Sequence, residues 1–435
     1  MSSKMVFRRF KPKIVTFFII LLKLNIFGEV REKIKTKFKS VLKQDFDENY
    51  YINKIEVFFV KFNIIVAKSF EDYFNGKQNK RRLCLVVFHK LIFFIFFLRY
   101  TMFGVFPTKI IRYLFNDFTI LFPNSRTVAL MYAVVNLACL CVILMYSYQE
   151  LYHSDSILKL MNDIRKGEND VKLNSIHQKL IEKRFNFITH YLLNQMMYLM
   201  TILTAILNAL FNIFAYFAEN TNYSIINTMI WILGTFLWCN HFYSVFYATV
   251  TSFYFANLFV RLKFKEINDS FRLCQLNGNI KQLKEAITGH NTLSILIDKL
   301  NNCIKILLFV FIYLGTPGLE ICFYLMVSEK SGPYSRLGFT YVFLFTAFLL
   351  LKTIFLSAQV SRAAHQSYPL INSISVKHKN KLSIRDTFKV MSFIEKLSGP
   401  VIGFYCYQLF PMNSYEFYEY VVNAIKMYLL IIEFL

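Results

Sequence analysis

The stretch YEFYEYVVNAIKMYLLIIEFL, residues 415–435, decides the fold class. As an α-helix it is about 30 Å long, which matches the hydrocarbon core of a bilayer. It nevertheless carries polar side chains at Glu416, Glu419, Asn423, Lys426 and Glu433. Each charge at the centre of a bilayer costs roughly 2.5 to 3.5 kcal/mol on insertion scales. We therefore expect a transmembrane helix with one side against a partner helix or a water-filled path.

The composition of the whole chain is that of a membrane protein. Of its 435 residues 55% are hydrophobic and 18% aromatic, with a mean hydropathy of +0.40. The net charge is +23, but the basic residues lie between apolar spans, where they set orientation, so we expect no nucleic-acid partner. The eight cysteines lie in or beside apolar segments without a Cys-x-x-Cys pair, so we expect neither metal nor cofactor.

Seven apolar segments predict seven transmembrane helices. They are 85–107, 128–148, 189–217, 225–258, 304–327, 338–357 and the C-terminal stretch. Lys and Arg are concentrated before the first span and in 149–188, 259–303 and 360–400. The positive-inside rule therefore predicts a cytosolic N-terminus and an extracellular C-terminus, the reverse of a G-protein-coupled receptor.

This pattern divides the chain into six parts. A basic cytosolic region, 1–84, has two apolar patches, 14–27 and 57–67, which are too short to span and which we expect to be interfacial or packed cytosolic helices. Spans one to four follow over 85–258. Helical cytosolic segments at 259–303 and 358–404 flank spans five and six, 304–357, and the last helix takes 405–435. Ile384, Phe388, Met391, Ile394 and Leu397 recur at helical spacing. We therefore predict an all-α membrane protein whose helices extend into a cytosolic bundle, which either packs within one chain or joins subunits.

The C-terminal region resembles a known family. The run Cys406-Tyr-Gln-Leu-Phe-Pro-Met-Asn, followed by Met427-Tyr428-Leu-Leu-Ile-Ile-Glu433-Phe434, is similar to the closing segment of arthropod gustatory receptors. That segment ends in Thr-Tyr, five apolar residues and Gln-Phe. Here Met427 stands in place of Thr, Glu433 in place of Gln, and only four apolar residues separate Tyr428 from Glu433. The resemblance extends weakly over 85–435.

The resemblance implies a taste receptor of the cell membrane: a multi-pass, ligand-gated, non-selective cation channel that opens on a small extracellular tastant. It implies a homo- or hetero-tetramer with one C-terminal helix per subunit lining the pore. Tyr428, Glu433 and Phe434 then lie near the constriction, where a phenylalanine ring closes a pore by dewetting and carboxylates favour cations. The alternative for Glu433 is a helix end that reaches the outer interface.

The resemblance also places a ligand site in the outer halves of spans two to six. The candidates are the polar and aromatic residues Asn208, Asn212, Tyr216, Trp231, Trp238, Tyr313, Thr316, Glu320 and Tyr324. Asparagines at helical spacing also serve as hydrogen-bonding contacts between helices, and tryptophans near a boundary form interfacial belts. Glu320 is the sharpest candidate, because an ionisable group at that depth is a functional hypothesis by default. In the same span, Pro317 beside Gly315 and Gly318 predicts a kink.

Two other classes of membrane protein remain as alternatives. His241 follows Asn240 inside the fourth span, and a buried histidine serves as general base in an acyltransferase-like membrane enzyme. A secondary transporter is the second alternative, although no internal repeat of the spans is evident. No motif of a soluble-type active site occurs, so we do not expect an enzyme. Asn222 and Asn268 begin glycosylation sequons on the predicted outer and inner sides.

Overall fold

The chain is almost entirely helical. The computed structural model describes residues 50–62, 64–75, 80–115, 117, 119, 125–152, 157–166, 173–188, 197–218, 225–328, 333–407 and 409–433. Its first nine helices are α1 Tyr50–Lys61, α2 Phe70–Phe74, α3 Lys80–Val105, α4 Lys109–Phe115, α5 Ser125–Tyr152, α6 Ile157–Lys166, α7 Ser175–Ile188, α8 Met197–Ala218 and α9 Ile225–Asn277. The remaining helices are α10 Ile280–Phe309, α11 Gly315–Val327, α12 Pro333–His365, α13 Ser367–Lys377, α14 Ile384–Ser398 and α15 Ser414–Glu433.

Each of the seven predicted spans coincides with a helix of the structure. Among the described residues, five helical stretches are long and apolar enough to cross a membrane: 82–105, 125–150, 225–277, 280–327 and 342–377. The apolar part of α8 is shorter, Met197–Ile213, because residues 189–196 lie outside the described part. α15 has the required length but carries Glu416, Glu419, Lys426 and Glu433. It is therefore too charged to stand alone in lipid.

α9 is the central element of the molecule. Its 53 residues make a helix of about 80 Å, far longer than a bilayer core is thick. It packs against α3, α5, α8, α10, α12 and α13. The predicted helical continuation of the fourth span beyond residue 258 is present, because Ile225–Asn277 is one unbroken helix. α9 ends at Gly278, whose φ of +63° is the left-handed conformation that glycine adopts after a helix.

The fifth span contains a local defect. One wide turn of π-helix, Val310–Leu314, separates α10 from α11. Pro317 follows it, and a proline has no N–H to donate to the carbonyl four residues back. The expected kink at Gly315, Pro317 and Gly318 therefore takes the form of a π-turn placed just before the proline.

The predicted cytosolic bundle consists of the ends of α9 and α10 with α13 and α14. The Asn268 side chain donates to the Ala363 carbonyl at 2.9 Å and accepts from the Ser367 hydroxyl at 2.6 Å. α14 begins at the N-cap Ser383, whose hydroxyl oxygen accepts from the Asp386 amide. Hydrogen bonds from Lys284 and Ser383 hold the pKa of the Asp386 carboxyl below its usual value.

The apolar face predicted for α14 is only partly the buried one. Its buried residues are Asp386, Val390, Phe393 and Leu397. Ile384, Phe388 and Met391 are 79%, 72% and 55% exposed on the opposite side of the helix. Spacing alone cannot distinguish the two faces, because both carry apolar side chains at intervals of three and four. α14 therefore presents a second apolar face, which we call the α14 stripe and define as Ile384, Phe388 and Met391.

The described end of the N-terminal region packs into the molecule. α1 contacts α6, α7 and α9, which agrees with a packed helix at the second apolar patch. The helix ends at Lys61, and residues 64–67 are buried without regular structure. There the Glu150 carboxylate, at the end of α5, accepts hydrogen bonds from the Val66 and Ala67 amides at 2.8 to 2.9 Å. The first apolar patch, 14–27, lies outside the described residues.

A short hairpin connects the bundle to α15. Strands β1 Tyr405–Cys406 and β2 Phe410–Pro411 pair antiparallel. The Asn301 side chain on α10 donates to the Gly403 carbonyl at 3.1 Å and accepts from the Tyr405 amide at 3.2 Å. The Tyr407 amide also donates to the Lys305 carbonyl at 3.1 Å. The hairpin that leads into α15 is therefore held to α10 by hydrogen bonds of its main chain to the Asn301 side chain and the Lys305 carbonyl.

Candidate ligand site and pore helix

α15 has one face turned toward the rest of the chain. The Phe417 ring lies 5.5 Å from Phe355 on α12. The hydroxyls of Tyr420 and Thr316 are 2.8 Å apart, in a hydrogen bond between α15 and α11. Higher up, the Tyr428 ring lies 4.7 Å from Phe323 and 5.5 Å from Phe343. The inner face of α15 is therefore aromatic and follows α11 over at least two turns.

The opposite face of α15 is exposed and carries a row of polar residues that Leu430 interrupts. Glu419, Asn423, Lys426 and Glu433 follow one another at intervals of four, three and seven residues, so they form one stripe along the helix. All four are exposed in the single chain. We call this row the α15 stripe. Tyr428 lies on the inner face rather than on the stripe, and Phe434 lies outside the described residues.

The nine predicted ligand residues fall into two groups rather than one. The structure places Asn208, Asn212, Tyr216, Trp231 and Trp238 in the α8–α9 region beside α3, and it places Tyr313, Thr316, Glu320 and Tyr324 on the fifth span.

Arg99 on α3 is the centre of the first group, and sequence reasoning did not select it. It is fully buried, and its guanidinium carbon lies 4.2 Å from the centre of the Trp231 ring. The rings of Phe96, Tyr100 and Phe103 are 5.3 to 5.5 Å away. Such contacts stabilise a weakly hydrated cation over aromatic faces. The available signal was an arginine inside an otherwise apolar span.

Two polar candidates contribute directly to this cluster. One Arg99 N–H donates to Asn212 Oδ1 over 3.5 Å, and Trp238 donates through Nε1 to Asn136 Oδ1 at 2.6 Å. Asn208 and Asn212 donate to carbonyls one turn earlier on α8, those of Thr204 and Asn208. They therefore bond along their own helix, and Asn212 also reaches Arg99.

The short helix α4 closes the same cluster. Its C-terminal carbonyls face three side-chain donors: Arg99 donates to the Phe115 carbonyl at 2.9 Å, while Asn227 and Trp231 donate to that of Leu114 at 3.1 and 3.2 Å. The carbonyl end of a helix carries partial negative charge, which a guanidinium complements. The loop after α3 is therefore fixed across the ends of α3 and α9.

The second group lies along α11. Tyr313 is exposed and stacks 4.8 Å from Phe309, whereas Tyr324 packs on the small core formed by Val128, Met131, Cys322, Leu325 and Phe339. Thr316 makes the hydrogen bond to Tyr420, and Glu320 lies one turn further along α11. Glu320 acts electrostatically on the hydroxyls of both Tyr420 and Tyr428. Thr316 and Glu320 therefore lie on the side of the fifth span that faces α15.

His241, the candidate base of the enzyme alternative, lies in an aromatic environment. It is buried on α9, with its ring 4.4 Å from His89 and 5.4 Å from Phe93. Within the described residues no group of three or more His, Cys, Asp or Glu is placed to hold a metal ion. His89 Nδ1 lies 2.7 Å from the Leu85 carbonyl, and within the described residues no carboxylate is hydrogen-bonded to either histidine.

Comparison with known proteins agrees on the architecture. No family model and no curated protein sequence matches the chain. The structure of the insect olfactory receptor OR5 from Machilis hrabei in complex with eugenol matches with a TM-score of 0.67 at 11% identity, covering 89% of this chain and 99% of that one. A second structure of the same receptor matches with a TM-score of 0.64 at 11% identity, covering 87% and 97%. The chain has the fold of an insect olfactory receptor, and these structural relatives are receptors rather than enzymes.

Proposed function

We propose that this chain is a chemosensory receptor that works as a ligand-gated, non-selective cation channel in the cell membrane. The fold that it shares with an olfactory receptor solved with eugenol supports a small-molecule receptor. The resemblance of residues 406–413 and 427–434 to gustatory receptors supports taste as the modality. On this proposal the ligand is an extracellular tastant. The alternative functions are a membrane enzyme and a transporter, and ligand-evoked cation current excludes both.

The observation that carries the proposal is the α15 stripe. Its two carboxylates, one amide and one ammonium face away from the rest of the chain along some 20 Å of helix. Facing lipid, each charge costs roughly 2.5 to 3.5 kcal/mol, so an isolated chain in a bilayer is unfavourable. Four copies arranged around an axis turn the stripes toward one another and hydrate them, which removes this cost.

Assembly into a tetramer gives the α14 stripe a partner as well. Ile384, Phe388 and Met391 are exposed on the single chain, at the end of the bundle predicted to be cytosolic. An apolar row of this kind on a soluble surface marks an interaction site. Identical or related subunits that contact one another through both α14 and α15 then surround a single central axis.

Within this channel the residues of α15 take different roles. Glu433 forms a ring of carboxylates at the outer end of the stripe and favours cations, and Phe434 contributes the apolar constriction. Tyr428 packs on Phe323 and Phe343, so its role is to hold α15 against the fifth and sixth spans.

The test is electrical recording from cells that express the chain, with a panel of small compounds. We expect an agonist-evoked current whose reversal potential follows the cation gradients. Glu433→Gln reduces divalent permeability relative to the wild type, while the control Glu395→Gln, an exposed carboxylate on α14, leaves it unchanged. Turnover of a lipid substrate by the purified protein without any current contradicts the channel and favours the enzyme.

A further inference from the structure

The contacts between α11 and α15 set the register of the two helices. Thr316 lies level with Tyr420 through their 2.8 Å hydrogen bond, and Phe323 lies level with Tyr428 through ring packing at 4.7 Å. Both residue numbers increase in the same direction, so the helices run parallel. Glu320, between Thr316 and Phe323, therefore lies level with Ala424, between the two tyrosines.

This register leaves a notch in the inner face of α15. Tyr420, Ala424 and Tyr428 follow one another at intervals of four residues and share one face. Ala424 carries only a methyl group, so its side chain extends less far toward α11 than the tyrosines one turn above and below it. Phe323 and Phe343, whose rings are 5.4 Å apart, border the upper end. The notch is lined by aromatic rings on α11, α12 and α15.

Glu320 is the charged group that faces this notch. It is partly buried, and it lies one turn beyond Thr316, whose hydroxyl is hydrogen-bonded to that of Tyr420. Among the described residues it has no ion pair and no hydrogen bond. Lys426 on α15 belongs to the opposite face, about half a helical turn away. An ionisable residue inside a span without a counter-charge from its own chain is unfavourable unless a mobile cation or a ligand supplies that charge.

We propose that the notch binds the ammonium group of an organic amine, with Glu320 as its counter-ion. A carboxylate beside tyrosine and phenylalanine faces is the combination that recognises an organic ammonium, because the rings attract a cation and shield it from water. A strongly hydrated inorganic ion gains less from such rings. Glu320 lies seven residues before the end of α11 at Val327, about 10 Å along the helix from its predicted outer end.

The proposal names a ligand class for the receptor described above and rests on that function for its role in signalling. The binding itself is independent of conduction. An amine that enters the notch contacts both α11 and the pore helix α15. Its binding therefore favours the position of α15 in which both contacts are made.

The experiment measures binding to the purified full-length chain in phosphatidylcholine nanodiscs by calorimetry. The probes are butylammonium and its uncharged counterpart 1-butanol, with empty nanodiscs subtracted. We expect saturable binding of butylammonium and only partition-like heat from butanol. Glu320→Gln, which keeps the shape of the side chain, weakens butylammonium roughly ten- to a hundredfold. Glu395→Gln, an exposed carboxylate on α14 outside both the notch and the α15 stripe, retains wild-type affinity, and Tyr428→Leu weakens binding through loss of a ring.

Three results overturn the site: equal heats for amine and alcohol, Glu320→Gln with wild-type affinity, or an equal loss in Glu320→Gln and Glu395→Gln. Thermal unfolding of each variant checks that it is folded before its affinity is used. Amine binding in a chain that never conducts removes the channel and leaves the site, whereas a conducting chain that binds no amine removes the site alone.

Discussion

Arg99 interrupts an apolar segment in the sequence, yet in the structure it organises the packing of the helices around it. In the sequence it is one of two basic residues, with Lys90, that interrupt the first apolar span. In the structure it is fully buried among four aromatic rings and donates to the end of α4. The composition of the span cannot show that its arginine is buried against aromatic rings, because one of those rings, Trp231, lies more than a hundred residues later in the chain.

We expect Arg99→Lys to lower the free energy of unfolding by about 2 kcal/mol or more. Lysine keeps the charge but has neither the planar fork that reaches Phe115 and Asn212 nor the flat face that stacks on Trp231. Thermal unfolding of the detergent-purified protein measures the change. The matched control is Arg362→Lys, an exposed arginine on α12, which we expect to change stability by less than about 0.5 kcal/mol. Equal effects of the two variants contradict the assigned role of Arg99.

His290 predicts a pH dependence of stability. It is buried in the bundle between Phe264 and Phe393, with Nε2 3.2 Å from the Ala364 carbonyl and Nδ1 3.4 Å from the Ser294 hydroxyl. Burial lowers the pKa of His290 to about 4, and the positive charges of Lys396 and His365 act in the same direction. Between about pH 6.5 and pH 4 the unfolded chain, with a histidine pKa near 6.5, therefore binds a proton at this residue, whereas the native state does not.

This contribution to stability is fully present above about pH 6.5 and is lost as the pH falls toward 4, by up to about 3 kcal/mol. Below pH 4 the native histidine is protonated too, and no further loss follows. We expect His290→Gln to flatten the decrease in unfolding temperature between pH 7.5 and pH 5. A His290→Gln variant whose unfolding temperature decreases as steeply as that of the wild type contradicts this. His365→Gln measures the separate contribution of the other nearby histidine.

At the scale of elements, hydrophobic spacing predicted where helices lie better than which side they bury. The helical periodicity of α14 was evident, yet its exposed and buried faces both satisfy it. The continuation of α9 beyond the membrane followed from length and spacing. The π-turn at Val310–Leu314 was predicted only as a kink, because the sequence shows that Pro317 removes a hydrogen bond but not how the helix adjusts.

The α14 stripe leads to a prediction about assembly. Phe388→Asp places a charge in the centre of an apolar row that we assign to contact between copies, so we expect loss of the tetramer without loss of the folded chain. Light scattering of the detergent-purified protein measures the oligomer. Val376→Asp is the control, because Val376 is 75% exposed on α13 outside the stripe. An intact tetramer in Phe388→Asp shows that α14 does not join the subunits.

At the scale of the whole molecule, the distribution of apolar segments was sufficient to predict seven spans and a helical membrane protein. The candidate ligand residues were harder to predict, because their grouping depends on contacts between distant helices. Asn212 and Trp231 meet at Arg99, whereas Thr316 and Glu320 face α15. Helical spacing correctly related Asn208 to Asn212, but no pattern in the sequence connects α11 with Tyr420 and Ala424.

The central claim is that α15 lines a cation pore with its polar stripe. The most direct measurement introduces single cysteines along α15 and applies a charged, membrane-impermeant thiol reagent during agonist-evoked current. The exposed native Cys84 is replaced by serine in every variant. We predict that the reagent changes the current irreversibly in Glu419→Cys, Asn423→Cys and Lys426→Cys, and leaves it unchanged in Val421→Cys and Ile431→Cys on the inner face. Modification confined to the inner-face positions, or without helical periodicity, contradicts the claim.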